Sequence, residues 1–531
     1  MTDLVHAVLA AADRTPDAPA LTARGRTWSY RELARRIRGI AAALRAEGLA
    51  SGDRVLFSVR PGPDAVTLAL GIVGAGGTVV FADPGAGEAL FRARAQLAAP
   101  RWVAAESLLY LASSGPLRPL ARRRGIELAP YARLVPDARH LRAGRWLPGV
   151  PRGALPLARL SAGAADGIVP GTDHDPALVV FTSGTTDAPK AVVHTRGSLG
   201  AGLTDFADGV GIRAGLRVLT DQLMVGIPAL IRGAHWTMPA PGLDPGARPE
   251  AYLAHLGDAE LLFASPATLD AILRALDAHP ELTPRLETIV LGGAPVLPPL
   301  LRRTFVRLPE VRIRAVYGMT EILPVAIADG AENLRAAEAG ADGDPVGRLM
   351  PSVNARIDGG ELVLAGPGLA LGYLAELPEH PLSELRTGDL ATIESGSDGD
   401  HLVLRGRAKD MFIRGTQNVY PGLYEPLIAG LPGVADAAMA GVPDVIGDDR
   451  IVVALVPLDA APAAPTTQHP LTAEVARRLP GLVDAGVLPD AVVALPALPR
   501  SGRSRKLDRA ALAALLAPFA EPAAPAEERT P

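Results

Sequence analysis

The sequence predicts an α/β fold organised on parallel sheets, and three observations carry that prediction. Short apolar runs alternate with segments of helical periodicity along most of the chain, the pattern of repeated βαβ units. Several of those runs end in polar or glycine-rich loops. From about Asn354 the texture changes to a smaller β-rich section. The chain has 531 residues and is 48% hydrophobic, too long for one simple core, so two or three packed units are expected.

Residues 29–49 place apolar side chains at helical spacing and end on Gly48, a helix with its stop signal. A strand RVLFSV, a helix-like stretch and a strand TVVFADP follow. The longest uncharged stretch is Ala65 to Ala82. A membrane span needs about 20 apolar residues. This run is shorter and is broken by Gly-Ala-Gly-Gly, so it reads as buried helix, tight turn and buried strand. Four later segments share one form: ALVVFTSGT (177–185), LLFASP (261–266), TIVLGGAP (288–295) and IRAVYGMTE (313–321). Each is a buried strand running into a loop. Ligands gather at the carboxyl ends of strands in open parallel sheets, so the four loops are expected to face one site. ARIDGGELVLAGPGL reads as a hairpin on a Gly-Gly turn. Residues 459–470 are a Pro/Ala-rich linker or loop, and the last fifteen residues, 517–531, are expected to be disordered.

Composition narrows the function. Net charge is −4 with no basic patch of the size that nucleic acid demands, so nucleic acid is set aside as a partner. Cysteine is absent, which excludes disulfides, cysteine–zinc sites and cysteine nucleophiles. The N-terminus lacks the basic and apolar regions of a secretory signal. A soluble cytoplasmic protein without a membrane span is expected. The 53 basic residues are 50 arginines and three lysines, Lys190, Lys409 and Lys506. A GC-rich genome drifts lysine to arginine wherever either serves. The lysines that remain mark places where a compact ammonium is needed and a planar fork does not fit.

Phe181-Thr182-Ser183-Gly184-Thr185-Thr186-Asp187-Ala188-Pro189-Lys190 follows a buried strand. An ordinary Ser/Thr turn would carry similar residues. Its hydroxyls and backbone N–H groups can also wrap phosphate oxygens, and the lysine six residues after Gly184 can reach them. This segment resembles the phosphate loop of the ANL superfamily of adenylate-forming enzymes: acyl-CoA synthetases, nonribosomal adenylation domains and luciferases. Tyr317-Gly318-Met319-Thr320-Glu321 resembles that family's adenine and magnesium motif. Arg386-Thr-Gly-Asp389 resembles its ribose motif, and Gly406-Arg407-Ala-Lys409-Asp410 its hinge. Ser501 to Arg509 resembles its C-terminal lysine motif. Five motifs in family order make the signal specific, and all three lysines fall inside them. Gly292-Gly293-Ala294-Pro295 is closest to the acyl and aryl ligase branch.

The resemblance implies a large N-terminal domain (1–408) with doubly wound sheets and a small β-barrel-like section. It also implies a small mobile α+β domain (409–531) that alternates between two positions. ATP and Mg²⁺ are the implied cofactors, and CoA or the phosphopantetheine of a separate carrier protein the acyl acceptor. Lys506 would bridge the carboxylic acid substrate and the α-phosphate. Thr320 would bond that phosphate and Glu321 would hold the metal. Thr182 to Thr186 with Lys190 would hold the β,γ-phosphates. Gly292 to Pro295 with Tyr317, Gly318 and Met319 would flank adenine, and Asp389 with Arg407 would bind ribose. Lys409 would be the hinge. Gly415 would lie beside the pantetheine on the second, thiol-facing surface. Asp221 and Met224, in the motif-poor stretch 219–233, are candidates for the acid pocket.

Four positions depart from the family pattern: Asp187 and Ala191 stand where glycines are usual, Arg505 precedes the tail lysine, and Leu423 replaces a glutamate that reappears two residues later as Glu425. The leading expectation is an acid–thiol ligase for an apolar or fatty acid. The alternatives are a stand-alone adenylation enzyme with another acid or another fate for the adenylate, namely amino-acid or aryl-acid loading onto a carrier or β-lactone formation, and a degenerate homologue that binds without turnover.

Overall fold

Adjacent residues on the strands of this protein face different cores, because the sheets are covered on both sides. In the computed structural model Val55, Val79, Leu178, Val218 and Leu261 point into one cluster. Their neighbours Leu56, Val80 and Val179 point into a second, and Leu219 and Leu262 into a third. The first cluster draws on two sheets at once and on helices Leu4–Arg14, Tyr30–Ala46, Pro63–Gly74, Arg196–Val210 and Leu223–Ile231. Two sheets thus face each other across a shared layer of helices. Helices Pro249–Leu256, Pro266–Ala278 and Pro298–Arg307 cover the outer face of one sheet, and Glu88–Ala98 and Ser107–Ala112 that of the other. The structure describes residues 3–82, 88–114, 118, 128–135, 137–163, 166–182, 190–240, 242–243, 248–293, 296–339, 343–407, 412–414, 417–419, 421–443, 449–483, 487–501 and 506–520.

The smaller of the two sheets has eight strands, with Arg54–Ser58 between Thr78–Phe81 and Trp102–Glu106, all parallel. It ends in an antiparallel pair, Pro176–Thr182 with Lys190–Thr195. The larger has thirteen strands. Its parallel half includes Leu261–Ala264, Thr288–Gly292 and Arg312–Met319. At Arg312–Met319 the direction reverses, and Ile322–Asp329 starts an antiparallel half that reaches the hairpin Asn354–Asp358 with Glu361–Ala365. The β-rich section expected from Asn354 is therefore continuous with the large sheet. Of the four strand–loop segments, three lie side by side in the large sheet, while Pro176–Thr182 belongs to the other. The uncharged run 65–82 is the helix Pro63–Gly74, a turn and the strand Thr78–Phe81. No described helix is long and apolar enough to cross a membrane.

The C-terminal residues build cores of their own. A sheet of Val434–Pro443, Asp449–Pro457 and Ala491–Ala494 packs one face on helices Pro421–Ala429 and Pro470–Arg478 and the other on Arg509–Ala520. The Pro/Ala-rich stretch is a loop of this unit, held where Thr466 bridges to Ala494. Helix Arg509–Ala520 runs four residues into the segment expected to be disordered, because Leu516 and Ala520 bury an apolar stripe against the sheet. Residues 521–531 lie outside the described residues, as does the expected 408/409 boundary.

One buried ion pair ties the start of the chain to the helix that follows the lysine strand. Arg196 is 1% exposed and its Nε donates to Asp3, which also caps helix Leu4–Arg14 by accepting from the His6 amide at 2.9 Å. Removing one partner leaves a buried charge uncompensated. Asp3→Ala is therefore expected to destabilise the fold by about 3–5 kcal/mol. Thermal unfolding checks this, and an unchanged midpoint would contradict it.

Candidate active site

The strand Lys190–Thr195 carries Lys190, Val192 and His194 on one face, since side chains alternate along a strand. Lys190 pairs in register with Thr182, so the loop 183–189 connects the two strands. Ser183, Gly184, Thr185 and Thr186 lie outside the described residues, and of Thr182 only the backbone is described. The far end of this face is buried. His194 Nε2 lies 2.7 Å from the Thr320 carbonyl, and Nδ1 lies 3.1 Å from Ser198 Oγ. A carbonyl only accepts, so Nε2 carries the hydrogen and Ser198 donates to Nδ1. Ser198 in turn accepts from the Thr195 amide at 3.0 Å within a capping box that starts helix Arg196–Val210. His194 thereby joins the two sheets at the motif Tyr317–Glu321.

That motif is the turn between Arg312–Met319 and Ile322–Asp329, with an irregularity of register at Gly318. A Cβ on Gly318 would lie 2.5 Å from Leu323 Cδ1 and 3.1 Å from the Ile322 carbonyl, so a larger residue would have to displace the Leu323 side chain and press on the turn. Thr320 presents its side chain to solvent. Tyr317 Oη donates to Asp389 Oδ2 at 2.5 Å. Asp389 is 2% exposed. Its amide donates to Thr387 Oγ1 at 3.0 Å, and in the ladder it stands opposite Arg407, whose side chain is not described. The structure thus brings the expected adenine and ribose residues together. Gly292 closes the strand Thr288–Gly292, and a Cβ there would touch the Phe263 ring at 3.6 Å. Gly293 has φ +83°, a left-handed conformation that glycine adopts without strain. Ala294 and Pro295 lie outside the described residues.

A strap completes the joint. The Ala370 amide donates to the Glu321 carbonyl, Leu371 to Val193 and Leu374 to Ala191, each at 2.8 Å. Tyr373 pairs with Val192 and so shares the face of Lys190 and His194. Its hydroxyl donates to Glu321 Oε1 at 3.0 Å, and Lys190 Nζ stands 5.3 Å from its ring centroid. Neither His194 nor Tyr373 was singled out from the sequence. The signal for His194 was its place two and four residues beyond Val192 and Lys190 on one strand face. Nothing local marks Tyr373, because its partners are distant in the chain.

The tail lysine, Lys506, is exposed on the short strand Lys506–Leu507, paired with Arg500–Ser501. Three residues on, Arg509 grips Glu425 with two bonds of 2.8 and 2.9 Å, and Glu425 also accepts the Met439 amide at 2.8 Å. The displaced glutamate thus anchors the segment that carries Lys506. Lys409 and Gly415 lie outside the described residues. Asp221 is exposed and accepts from the Gln222 side-chain amide at 3.0 Å, while Met224 is half-buried on helix Leu223–Ile231.

Loss of His194 would leave the Thr320 carbonyl and Ser198 short of a partner in the interior. His194→Ala is expected to cost about 1–3 kcal/mol of stability. Burial, the largest cause, holds the imidazole below its ordinary value of about 6.5, against the opposing pull of the Thr320 carbonyl and Glu321. The unfolded chain therefore binds the proton first, and this contribution is lost as the pH falls below about 6.5. Wild type should lose thermal stability between about pH 7 and 5.5, and His194→Gln should lose less. Parallel pH profiles would contradict the assignment.

Comparison with known proteins identifies the family. A family model described as AMP-binding enzyme matches residues 8–374. A feruloyl-CoA synthase from Amycolatopsis sp is 31% identical over 468 residues, covering 81% of this chain and 84% of that one. An olefin β-lactone synthetase from Stenotrophomonas maltophilia is 28% identical over 511 residues, covering 86% and 85%. The crystal structure of ATP-bound MatB from Rhodopseudomonas palustris superposes with a TM-score of 0.76 at 23% identity, over 98% of this chain and all of that one, a likeness of fold. With that match across more than half its length, the chain belongs to the family of AMP-binding, adenylate-forming enzymes.

Proposed function

We propose that the protein activates an apolar carboxylic acid with ATP as an acyl-AMP and transfers the acyl group to the thiol of CoA or of a carrier's pantetheine. One observation carries this reading. Tyr317 with Asp389, and Glu321 with Lys190 through Tyr373, lie on one strand–turn and the face docked on it. Residues suited to a nucleoside thus adjoin residues suited to phosphates and a cation.

A carboxylate oxygen attacks the α-phosphorus, the bond to the bridging oxygen breaks, and pyrophosphate leaves with the electron pair. Two anions must meet, so catalysis needs positive charge and fixed geometry at that point. Asp389 accepts from the ribose hydroxyls, and the Tyr317 ring lies against the base. Thr320 turns its exposed hydroxyl to the phosphates, and Lys190 neutralises the leaving pyrophosphate. Lys506, on its anchored and exposed segment, bridges the acid and the α-phosphate. Mg²⁺ takes one or two carboxylates with phosphate oxygens and water, which fits Glu321, and it would supply charge neutralisation there. In the second half-reaction the thiol sulfur attacks the acyl carbon, the bond to the phosphate oxygen breaks, AMP leaves with the electron pair, and the thiol proton passes to solvent.

The 31% identity to a feruloyl-CoA synthase supports an apolar acid and a thiol acceptor. So does helix Leu223–Ile231, whose half-buried start carries Met224 and whose remainder is apolar and buried. Asp221, exposed and bonded to Gln222, offers little support for an amino-acid substrate. The relative that makes a β-lactone marks the other fate open to an adenylate in this fold. Lys506→Ala is expected to lower acyl-AMP formation about 100-fold or more while sparing thioesterification of supplied acyl-AMP. Equal loss in both half-reactions would remove Lys506 from its role.

A further inference from the structure

Lys190 and Glu321 carry opposite charges, come from different sheets, and share one neighbour. Tyr373 offers its ring face to the ammonium at 5.3 Å and its hydroxyl to Glu321 Oε1 at 3.0 Å. The register explains how one side chain meets both. Tyr373 stands opposite Val192, so Lys190 is its diagonal neighbour on the same face, and the strap bond from Ala370 to the Glu321 carbonyl brings the turn alongside. A cation–π contact holds an ammonium without neutralising it. A neutral hydroxyl bonded to one carboxylate oxygen leaves the other available. A tyrosine hydroxyl is neutral at pH 7 and donates this bond.

We propose that Tyr373 is a positioning residue that keeps the phosphate-binding lysine and the metal-binding glutamate from pairing with each other before the nucleotide arrives. Without it the flexible Lys190 folds onto Glu321, and one salt bridge occupies the groups meant for the triphosphate and the cation. The ring satisfies both charges at once and spends neither. The proposal rests on the roles given above to Lys190 and Glu321.

The test is equilibrium calorimetry of ATP binding to the full chain without acid, first in EDTA and then with Mg²⁺, with thermal unfolding as the check on folding. Tyr373→Leu should weaken metal-free ATP binding about tenfold or more, because Lys190 is captured. Adding Glu321→Gln removes the captor and should return metal-free affinity to within about twofold of Glu321→Gln alone. Tyr373→Phe keeps the ring, so its metal-free affinity should stay within about twofold of wild type while the gain on adding Mg²⁺ shrinks. A merely structural tyrosine would weaken binding equally with or without Glu321, and that result overturns the proposal. So does unchanged binding in Tyr373→Leu. If Lys190→Ala leaves ATP affinity unchanged, the role of Lys190 fails, and the spacer fails with it.

Discussion

The hydrogen bond from His194 to the Thr320 carbonyl is the constraint on which the site depends. It runs directly between two sheets that also share a layer of helices packed between them. On one side lies the strand that begins with Lys190, on the other the turn that carries Thr320 and Glu321. A carbonyl held from outside fixes the peptide plane that joins Thr320 to Glu321, the backbone from which both side chains leave. The 370–374 strap repeats the tie with three backbone bonds and delivers Tyr373 between the two charged groups. Lys190, Glu321 and Tyr373 therefore hold one geometry although they come from different sheets.

Each sheet contributes what its topology allows. The large sheet reverses from parallel to antiparallel at Arg312–Met319, so its central strand ends in a tight turn where a crossover would otherwise leave. Across the antiparallel half Tyr317 and Asp389 bond to each other, and Gly318 marks the irregularity of register beside the turn. The C-terminal unit follows another logic. Its lysine is exposed, and rigidity comes from the Arg509–Glu425 fork at the base of the segment. An exposed group on an anchored segment suits a residue that acts in one half-reaction and is withdrawn in the other.

Much of this was legible in the sequence. Apolar strands ending in polar loops drew attention to Gly292 and Tyr317, the motif resemblance to Asp389, and the scarcity of lysine to Lys190 and Lys506. The hidden part was relational. The sequence placed four loops around one site but not in two sheets, because strand order depends on pairings between distant segments. Glu425 looked like a displaced residue and proved to be the partner of Arg509. Tyr373 is one tyrosine after a glycine until the strap lies beside Val192. His194 was within reach, since a polar residue two positions along an apolar strand face needs a partner, but the partner is 126 residues away.

The central claim is that the assembled residues form an acyl adenylate. Pyrophosphate exchange into ATP, with Mg²⁺ and a panel of aryl, fatty, β-hydroxy and amino acids, measures that step alone. Exchange is expected to depend on an apolar acid and to need no thiol, with a thioester appearing once CoA or a carrier is added. A folded protein that binds ATP yet gives no exchange with any acid of the panel would contradict it.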